Sequence, residues 1–107
     1  MLDSAYKLFL GTLANSNRIK IINSLRKEPK NVTEVCKLTR FNQTTVSHNL
    51  KRLQTCGFVF SKRNGKCVYY SLNKRTIKPL MEMIDKHMSC FCEHLVKGEF
   101  GKIKYKE

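Results

Sequence analysis

The chain has 107 residues, with 21 Lys and Arg against 8 Asp and Glu, and a formal net charge of +13. This length fits one domain of roughly 100–150 residues and leaves no room for a large multi-site enzyme. Since 41% of the residues are hydrophobic, the chain can form a packed core, which excludes wholesale disorder. No uncharged apolar run approaches the roughly 20 residues needed to span a bilayer, so a transmembrane protein is excluded and no membrane partner is expected that would need a spanning segment.

The five cysteines and the N-terminal stretch indicate in which cellular compartment the protein resides. The stretch lacks the basic flank and the small-residue cleavage site of a secretory signal. An odd number of cysteines, mostly within apolar patterns, is typical of reduced thiols. We therefore expect a cytoplasmic protein.

The positive charge is unevenly distributed. From Val35 to Met81 there is no Asp or Glu, yet there are ten Lys or Arg. Solvated faces normally mix both signs, so a segment this one-sided indicates a polyanionic partner. Nucleic acid is the first candidate and an anionic membrane surface the second.

Four helices are predicted before residue 57 from apolar residues at helical spacing and polar residues at helix starts. The first covers residues 2–13, and its apolar residues are Leu2, Tyr6, Phe9, Leu10 and Leu13. Asn15 is the expected N-cap of the second helix, which stops before Pro29, and Thr33 that of a short third helix. A brief turn over residues 39–41 leads to Asn42, the expected N-cap of a fourth helix that ends at Gly57. Two helices joined by so short a turn have the spacing of a helix-turn-helix.

After Gly57 the pattern changes to that of a β-hairpin. The runs 58–63 and 66–71 are rich in β-branched and aromatic residues. They flank Asn64-Gly65, which predicts a type I′ turn because both central positions of that turn need a positive φ. Pairing across this turn brings together Lys62, Arg63 and Lys66, so the tip of the hairpin is expected to be cationic.

A last helix is predicted from about Thr76 to about Val96. Its apolar residues alternate in steps of four and three, which is a heptad pattern that suits helix pairing. They are Ile77, Met81, Ile84, Met88, Phe91 and Leu95. The chain is thus divided into one domain over residues 1–96 and a basic polar tail over residues 97–107.

The exposed face of the fourth helix carries the candidate DNA contacts. With Val46, Leu50 and Leu53 buried, the opposite face has hydroxyl, imidazole and cationic groups and no carboxylate. Short polar side chains can approach base edges in a major groove, and Lys or Arg can reach phosphates. The candidates for base edges and nearby phosphates are Gln43, Thr44, Thr45, Ser47 and His48. The candidates for phosphate neutralisation are Lys51, Arg52, Lys62, Arg63 and Lys66. An ordinary polar surface helix can show a similar face, but the short turn before it and the cationic hairpin after it favour nucleic acid.

This order of elements, α-α-α-α-β-β-α, is that of a winged helix-turn-helix, and the chain resembles the ArsR/SmtB family of bacterial and archaeal repressors. The resemblance covers roughly residues 5–95, and it rests on the stretches 13–22, 43–53 and 57–72. It implies a mainly α fold with a small β-hairpin that dimerises through its first and last helices. It also implies a repressor that binds a palindromic operator in double-stranded DNA and blocks access to the promoter.

Many members of this family release DNA when a metal ion binds, and the chain matches the family's metal sites only in part. Where one site has Cys-Val-Cys, this chain has Asn31-Val32-Thr33, without thiolates. The Asp-x-His half of a second site is matched by Asp85-Lys86-His87, but the expected downstream ligands fall near Gly98 and Gly101. Neither family site is therefore complete.

The last helix nevertheless carries five candidate metal ligands, which are Asp85, His87, Cys90, Cys92 and His94. His87 with Cys90, or Cys90 with His94, has a helical spacing that allows chelation of one ion. Thiolates with imidazoles favour zinc, Cu(I) or a thiophilic metalloid. Two interpretations stay open. The set is a metal or thiol-oxidation sensor that releases DNA, or the cysteines are small hydrophobic residues in a dimer interface and the histidines face solvent.

Two other classes of function compete with a DNA-binding regulator. An RNA-binding or ribosome-associated basic module is the main alternative, because +13 is more basic than a repressor requires. Against it, the sequence shows no cluster of exposed aromatics for stacking on single-stranded bases. An enzyme would need a zinc-activated water at His87, Cys90 and His94, but no general base in a recognisable motif accompanies them, so no enzymatic activity is expected.

Overall fold

A computed structural model of the chain describes residues 2–92, which form five helices and two strands in the predicted order. The helices are α1 (Leu2–Leu13), α2 (Ser16–Ser24), α3 (Val32–Thr39), α4 (Gln43–Thr55) and α5 (Ile77–Phe91), and the strands are β1 (Val59–Asn64) and β2 (Cys67–Leu72). Elements α1 to β2 form one unit that ends at Asn73, and α5 belongs to a second unit that begins at Lys74. Within the described residues, no helix is both long and apolar enough to cross a bilayer.

The core of the first unit lies where α2, α3 and α4 meet the base of the hairpin. Its fully buried apolar side chains are Ile21, Ile22, Val35, Val46, Leu50, Leu53, Phe58 and Val59. The predicted apolar stripe of α4 is therefore confirmed as buried. Phe9 of α1 stacks on Phe58, with ring centroids 4.9 Å apart, and joins α1 to this core.

Within the described part of the chain, helix α1 leaves most of its apolar face uncovered. Phe9 and Leu13 are half-buried, whereas Leu2, Tyr6 and Leu10 are more than half exposed. These three residues lie at helical spacing on one side of α1 and form what we call the α1 apolar face. An amphipathic helix that does not bury its apolar side within its own chain has a surface suited to a partner.

Two of the three predicted helix caps are confirmed. The side-chain oxygen of Asn15 accepts a hydrogen bond from the backbone N–H of Arg18 at the start of α2. Asn42 does the same for α4, where its Oδ1 lies 2.8 Å from the backbone nitrogen of Thr45. The N-terminus of α4, the helix with the candidate DNA contacts, is therefore fixed by its own sequence.

The predicted cap of α3 is wrong, because Asn31 and not Thr33 is the N-cap. Asn31 Oδ1 accepts from the backbone N–H of Glu34 at 2.9 Å, and Glu34 Oε1 accepts from the backbone N–H of Asn31 at 3.0 Å. This reciprocal capping box satisfies two backbone donors, which a cap at Thr33 would not do. Thr33 lies inside the first turn of the helix.

Replacing Asn31 with alanine tests the capping box. Asn31→Ala removes the acceptor for the Glu34 N–H, so we expect the free energy of unfolding to fall by about 1 kcal/mol. Chemical denaturation checks this value, with Asn17→Ala as the control because Asn17 is exposed beyond the cap of α2. An equal loss in the two variants would contradict the role of Asn31.

The hairpin forms as predicted, but its turn is shifted by one residue. Asn64 pairs with Cys67, so the two loop residues are Gly65 and Lys66 and not Asn64 and Gly65. Gly65 has a φ of 66°, and it is the sole loop residue with a positive φ. That pattern fits a type II′ turn, which needs a positive φ only at its first central position, and not the predicted type I′ turn.

In the second unit, α5 begins after Thr76 and its last described residue is Phe91, followed by the C-cap Cys92. Ile77 and Met81 are buried, Ile84 and Met88 are half-buried, and Phe91 is 48% exposed, so the predicted apolar stripe is confirmed in its first part alone. The predicted continuation to Val96 and the tail at residues 97–107 lie outside the described residues. The division into a domain over residues 1–96 and a tail stays a prediction.

Candidate nucleic-acid interface

The turn between α3 and α4 is short because a left-handed residue ends α3. Arg40 has a φ of 64°, and its N–H donates to the carbonyl of Cys36 at 2.8 Å. Thr39 Oγ1 accepts from the N–H of Phe41 at 3.3 Å, and the ammonium of Lys20 lies 5.7 Å from the ring centroid of Phe41. The turn therefore covers residues 40–42, one residue later than predicted, and α4 begins directly after it at Gln43.

The outward side of α4 is polar, cationic and exposed. Of the candidates on this helix, Thr45 is half-buried, and the exposed ones are Gln43, Thr44, Ser47, His48, Lys51 and Arg52. At about 100° per residue, Thr44, His48 and Lys51 lie opposite the buried stripe, and Thr45 and Arg52 lie on one flank. Since no carboxylate is present on α4, this face has the sign and the short hydrogen-bonding groups that a major groove accommodates.

A hydrogen bond joins the hairpin to the end of α4. Gln54 Nε2 donates to Ser61 Oγ of β1 at 2.9 Å, and α4 runs into the hairpin through Gly57. Lys62 and Arg63 are exposed neighbours on β1, so their side chains leave opposite faces of the hairpin, and Lys66 lies in its turn. The hairpin tip therefore presents cations on both faces and at its end, as the predicted cationic tip requires.

Arg52 is directed towards α1. Its Nε and Nη2 atoms lie 3.3 and 3.2 Å from Oγ1 of Thr12, to which both donate. Because Thr12 is fully buried, this contact joins the flank of the exposed α4 face to a buried position on α1. A phosphate contact by Arg52 stays a prediction.

Sequence reasoning missed two residues that connect α4 with the preceding helices. Arg18 of α2 donates from Nη1 to Oδ1 of Asn49 at 3.3 Å, and Asn49 Nδ2 donates to the carbonyl of Thr45 at 2.8 Å. Asn49 is 7% exposed and lies in the apolar stripe between Val46 and Leu50. An asparagine in that position was the available signal, because a buried amide needs a partner.

A second group of cations lies beside the turn, outside the predicted set. An open groove of about 850 Å³ between α2 and the end of α3 is lined by Lys20, Arg26, Lys27, Lys30 and Arg40, and among residues 2–92 no carboxylate lines it. Lys30 pairs with Glu28 at 3.2 Å at its edge. This groove adds to the positive potential of the unit that contains α4.

The candidate metal ligands do not converge within the described part of the chain. Asp85 and His87 leave α5 about 160° apart, whereas His87 and Cys90 are about 60° apart. The ring of His87 stacks on Phe91 with centroids 5.2 Å apart. No group of three or more potential ligands forms among residues 2–92, and His94 lies outside them. The described residues of one chain therefore do not form a three-ligand site, and the predicted metal ligands stay a prediction.

Residues 15–61 match the model of a family described as bacterial regulatory protein, arsR family. The chain is 33% identical over 89 residues to the transcriptional regulator NmtR of Mycobacterium tuberculosis, covering 83% of this chain and 71% of that protein. It is 34% identical over 76 residues to the cadmium resistance transcriptional regulatory protein CadC of Listeria innocua, covering 70% of this chain and 64% of that protein.

The fold is also shared with solved structures. The homodimeric winged helix-turn-helix DNA-binding domain of Mb0332 from Mycobacterium bovis, a possible ArsR-family regulator, has a TM-score of 0.79 and 27% identity. The match covers 87% of this chain and 86% of that domain. The predicted winged helix-turn-helix fold is therefore confirmed.

Proposed function

The chain belongs to the ArsR family of DNA-binding transcriptional regulators, and we propose that it is a dimeric repressor that reads a palindromic operator with α4. Its base contacts come from the N-terminal half of α4, at Gln43, Thr44, Thr45, Ser47 and His48. Phosphates are neutralised by Lys51 on α4 and by Lys62, Arg63 and Lys66 at the hairpin tip, whereas the guanidinium of Arg52 is already engaged by Thr12. The bound dimer represses transcription because it blocks access to the promoter. The protein acts in the cytoplasm.

The observation that carries this proposal is the exposed α4 face and its position in the chain. Asn42 and the Arg40 turn fix the N-terminus of α4, and its free face bears hydroxyls, an imidazole and cations without any acid. The N-terminal residues of a recognition helix are those that meet base edges. The second protomer is expected to pack on the first and last helices, where the α1 apolar face and Phe91 of α5 are exposed in the single chain.

The proposal includes release of the operator by a metal ion or by thiol oxidation. Two features support it, the exposed Cys90 one helical turn from His87 and the similarity to a cadmium resistance regulator. A three-ligand site would need His94 or residues of a second protomer. Metal content and operator affinity, measured with and without a chelator, test this part alone.

Selection of duplexes from a randomised library tests the proposal as a whole. We expect the wild-type protein to enrich a palindrome whose half-sites lie one helical turn apart, about 34 Å. Competition with a structured RNA separates the alternative, because an RNA-binding module would release the duplex at RNA concentrations that leave the repressor bound. Enrichment of no sequence, together with preference for RNA, would refute the proposal.

Replacing Thr44 with alanine tests base reading by α4. Thr44→Ala removes a hydroxyl at the centre of the exposed face, and we expect the ratio of selected-duplex to random-duplex affinity to fall about tenfold. Thr55→Ala is the matched control, because Thr55 is exposed roughly 16 Å further along the same helix. Fluorescence anisotropy with both duplexes gives the ratio. Equal ratios in the two variants would remove the role assigned to Thr44.

A further inference from the structure

A fully buried hydroxyl in α1 is the meeting point of several side chains. Thr12 Oγ1 donates to the carbonyl of Leu8 at 2.8 Å and receives both Arg52 donors, so its one proton and two lone pairs are used. Cys56 Sγ, at the C-cap of α4, lies 3.4 Å from the same oxygen. The last turn of α4 is thus held against α1 by a charge-assisted contact at a buried site.

Arg18 completes a second connection between the same two helices. The last four carbonyls of α1 have no partner within the helix. Backbone N–H groups of Ala14 and Asn15 satisfy those of Leu10 and Leu13. Arg18 satisfies the other two, with Nε 2.6 Å from the carbonyl of Thr12 and Nη2 3.2 Å from that of Gly11. Its third nitrogen, Nη1, reaches Asn49 in the middle of α4.

These contacts fix α4 to α1 at two levels along its length. Asn49 is held in the middle of α4 through Arg18, and Arg52 is held one turn later through Thr12. Their side chains lie on the flank of α4, away from the centre of the exposed face. A rigid connection at two levels resists both sliding and rotation of one helix against the other.

We propose that Thr12, Arg18, Asn49 and Arg52 form a positioning cluster. This cluster sets the orientation of α4, the proposed recognition helix, relative to α1, which carries the proposed dimer interface. In a symmetric dimer held through the α1 apolar face, that orientation determines the distance between the two recognition helices. The cluster therefore makes the protein selective for the spacing of the half-sites. In this proposal Arg52 positions α4 through Thr12, and this role replaces the phosphate contact predicted for it from the sequence. This inference rests on the proposed dimeric repressor.

Thr12→Val is the first test, because it removes the hydroxyl from a buried, uncharged residue that cannot contact DNA. Binding is measured on the duplex that the wild-type protein selects and on duplexes with one base pair added or removed between half-sites. We expect a loss of about tenfold on the selected duplex, a change of less than about twofold on random DNA, and a weaker preference for the original spacing. Thr55→Val makes the same chemical change at an exposed position of α4 and should leave all three values unchanged.

Arg52→Met is the second test and does not depend on Thr12→Val being folded. A lost phosphate contact lowers the slope of log affinity against log salt by about 0.9 per protomer, whereas a lost positioning contact does not. We expect Arg52→Met to keep the wild-type slope and to relax spacing preference, and Lys51→Met to lower the slope and keep the preference. The double variant Thr12→Val/Arg52→Met should bind the selected duplex about as tightly as the weaker-binding of the two single variants.

Three results would overturn the inference. They are wild-type spacing preference in Thr12→Val, a slope in Arg52→Met reduced as much as in Lys51→Met, or additive losses in the double variant. Failure of the proposed function would be seen separately, since the wild-type protein would then select no duplex. Circular dichroism and thermal melting of each variant establish that the folded protein is being compared.

Discussion

Raising the salt concentration from about 50 to about 200 mM is expected to weaken duplex binding by roughly 10⁴-fold. Four cations per protomer, Lys51, Lys62, Arg63 and Lys66, are exposed on α4 and the hairpin tip. A dimer then neutralises about eight phosphates, and each contributes about −0.9 to the slope of log affinity against log salt. Anisotropy titrations at several salt concentrations give the slope, which should be near −7.

Single variants assign this slope to residues. Lys51→Ala should lower its magnitude by about 1.8 in the dimer and weaken the selected and random duplexes by similar factors. Lys7→Ala is the charge-matched control, because Lys7 is exposed on α1, outside the proposed DNA interface. A slope near zero in the wild-type protein, or the same reduction in Lys7→Ala, would contradict the phosphate contacts.

Disrupting the α1 apolar face is expected to produce a monomer and to reduce affinity for the selected duplex by at least about 100-fold. Leu10 is 55% exposed within the single chain and belongs to this face with Leu2 and Tyr6. Leu10→Asp places a charge in the proposed dimer interface, where its desolvation is costly. A monomer then binds each half-site alone and loses the gain from linked binding, which reaches 10²–10⁴-fold in order of magnitude. Sedimentation equilibrium and titration of full and half operators measure both effects.

Leu8→Asp is the matched control for this change. Leu8 is 54% exposed on the same helix but leaves it about 160° away from Leu10. We expect Leu8→Asp to remain a dimer with near wild-type affinity. Loss of the dimer in both variants, or in neither, would show that the α1 apolar face is not the interface.

Local signals in the sequence were sufficient for most of the fold. Asn15 and Asn42 precede apolar periodicity and cap α2 and α4, and the stripe of Val46, Leu50 and Leu53 is buried as its spacing predicts. The cap of α3 was also readable, because Asn31 and Glu34 have the spacing of a capping box, whereas Thr33 has no such partner.

The shifted turn and the positioning cluster depend on contacts that local patterns do not contain. Asn64-Gly65 favours one turn, but the register that pairs Val59 with Leu72 puts Asn64 in the strand. Nothing near Arg52 in the sequence indicates that its guanidinium reaches Thr12, 40 residues away. The face of α4 could therefore be predicted, but the contact of Arg52 with Thr12 could not.

Chemical-shift mapping of the ¹⁵N-labelled protein with its selected duplex tests recognition of DNA by α4 most directly. We expect the amides with the largest shifts to lie in residues 43–51 of α4 and 62–66 of the hairpin, with smaller changes in the exposed part of α5. Shifts confined to α5, or spread evenly over the basic surface, would contradict recognition of DNA by α4.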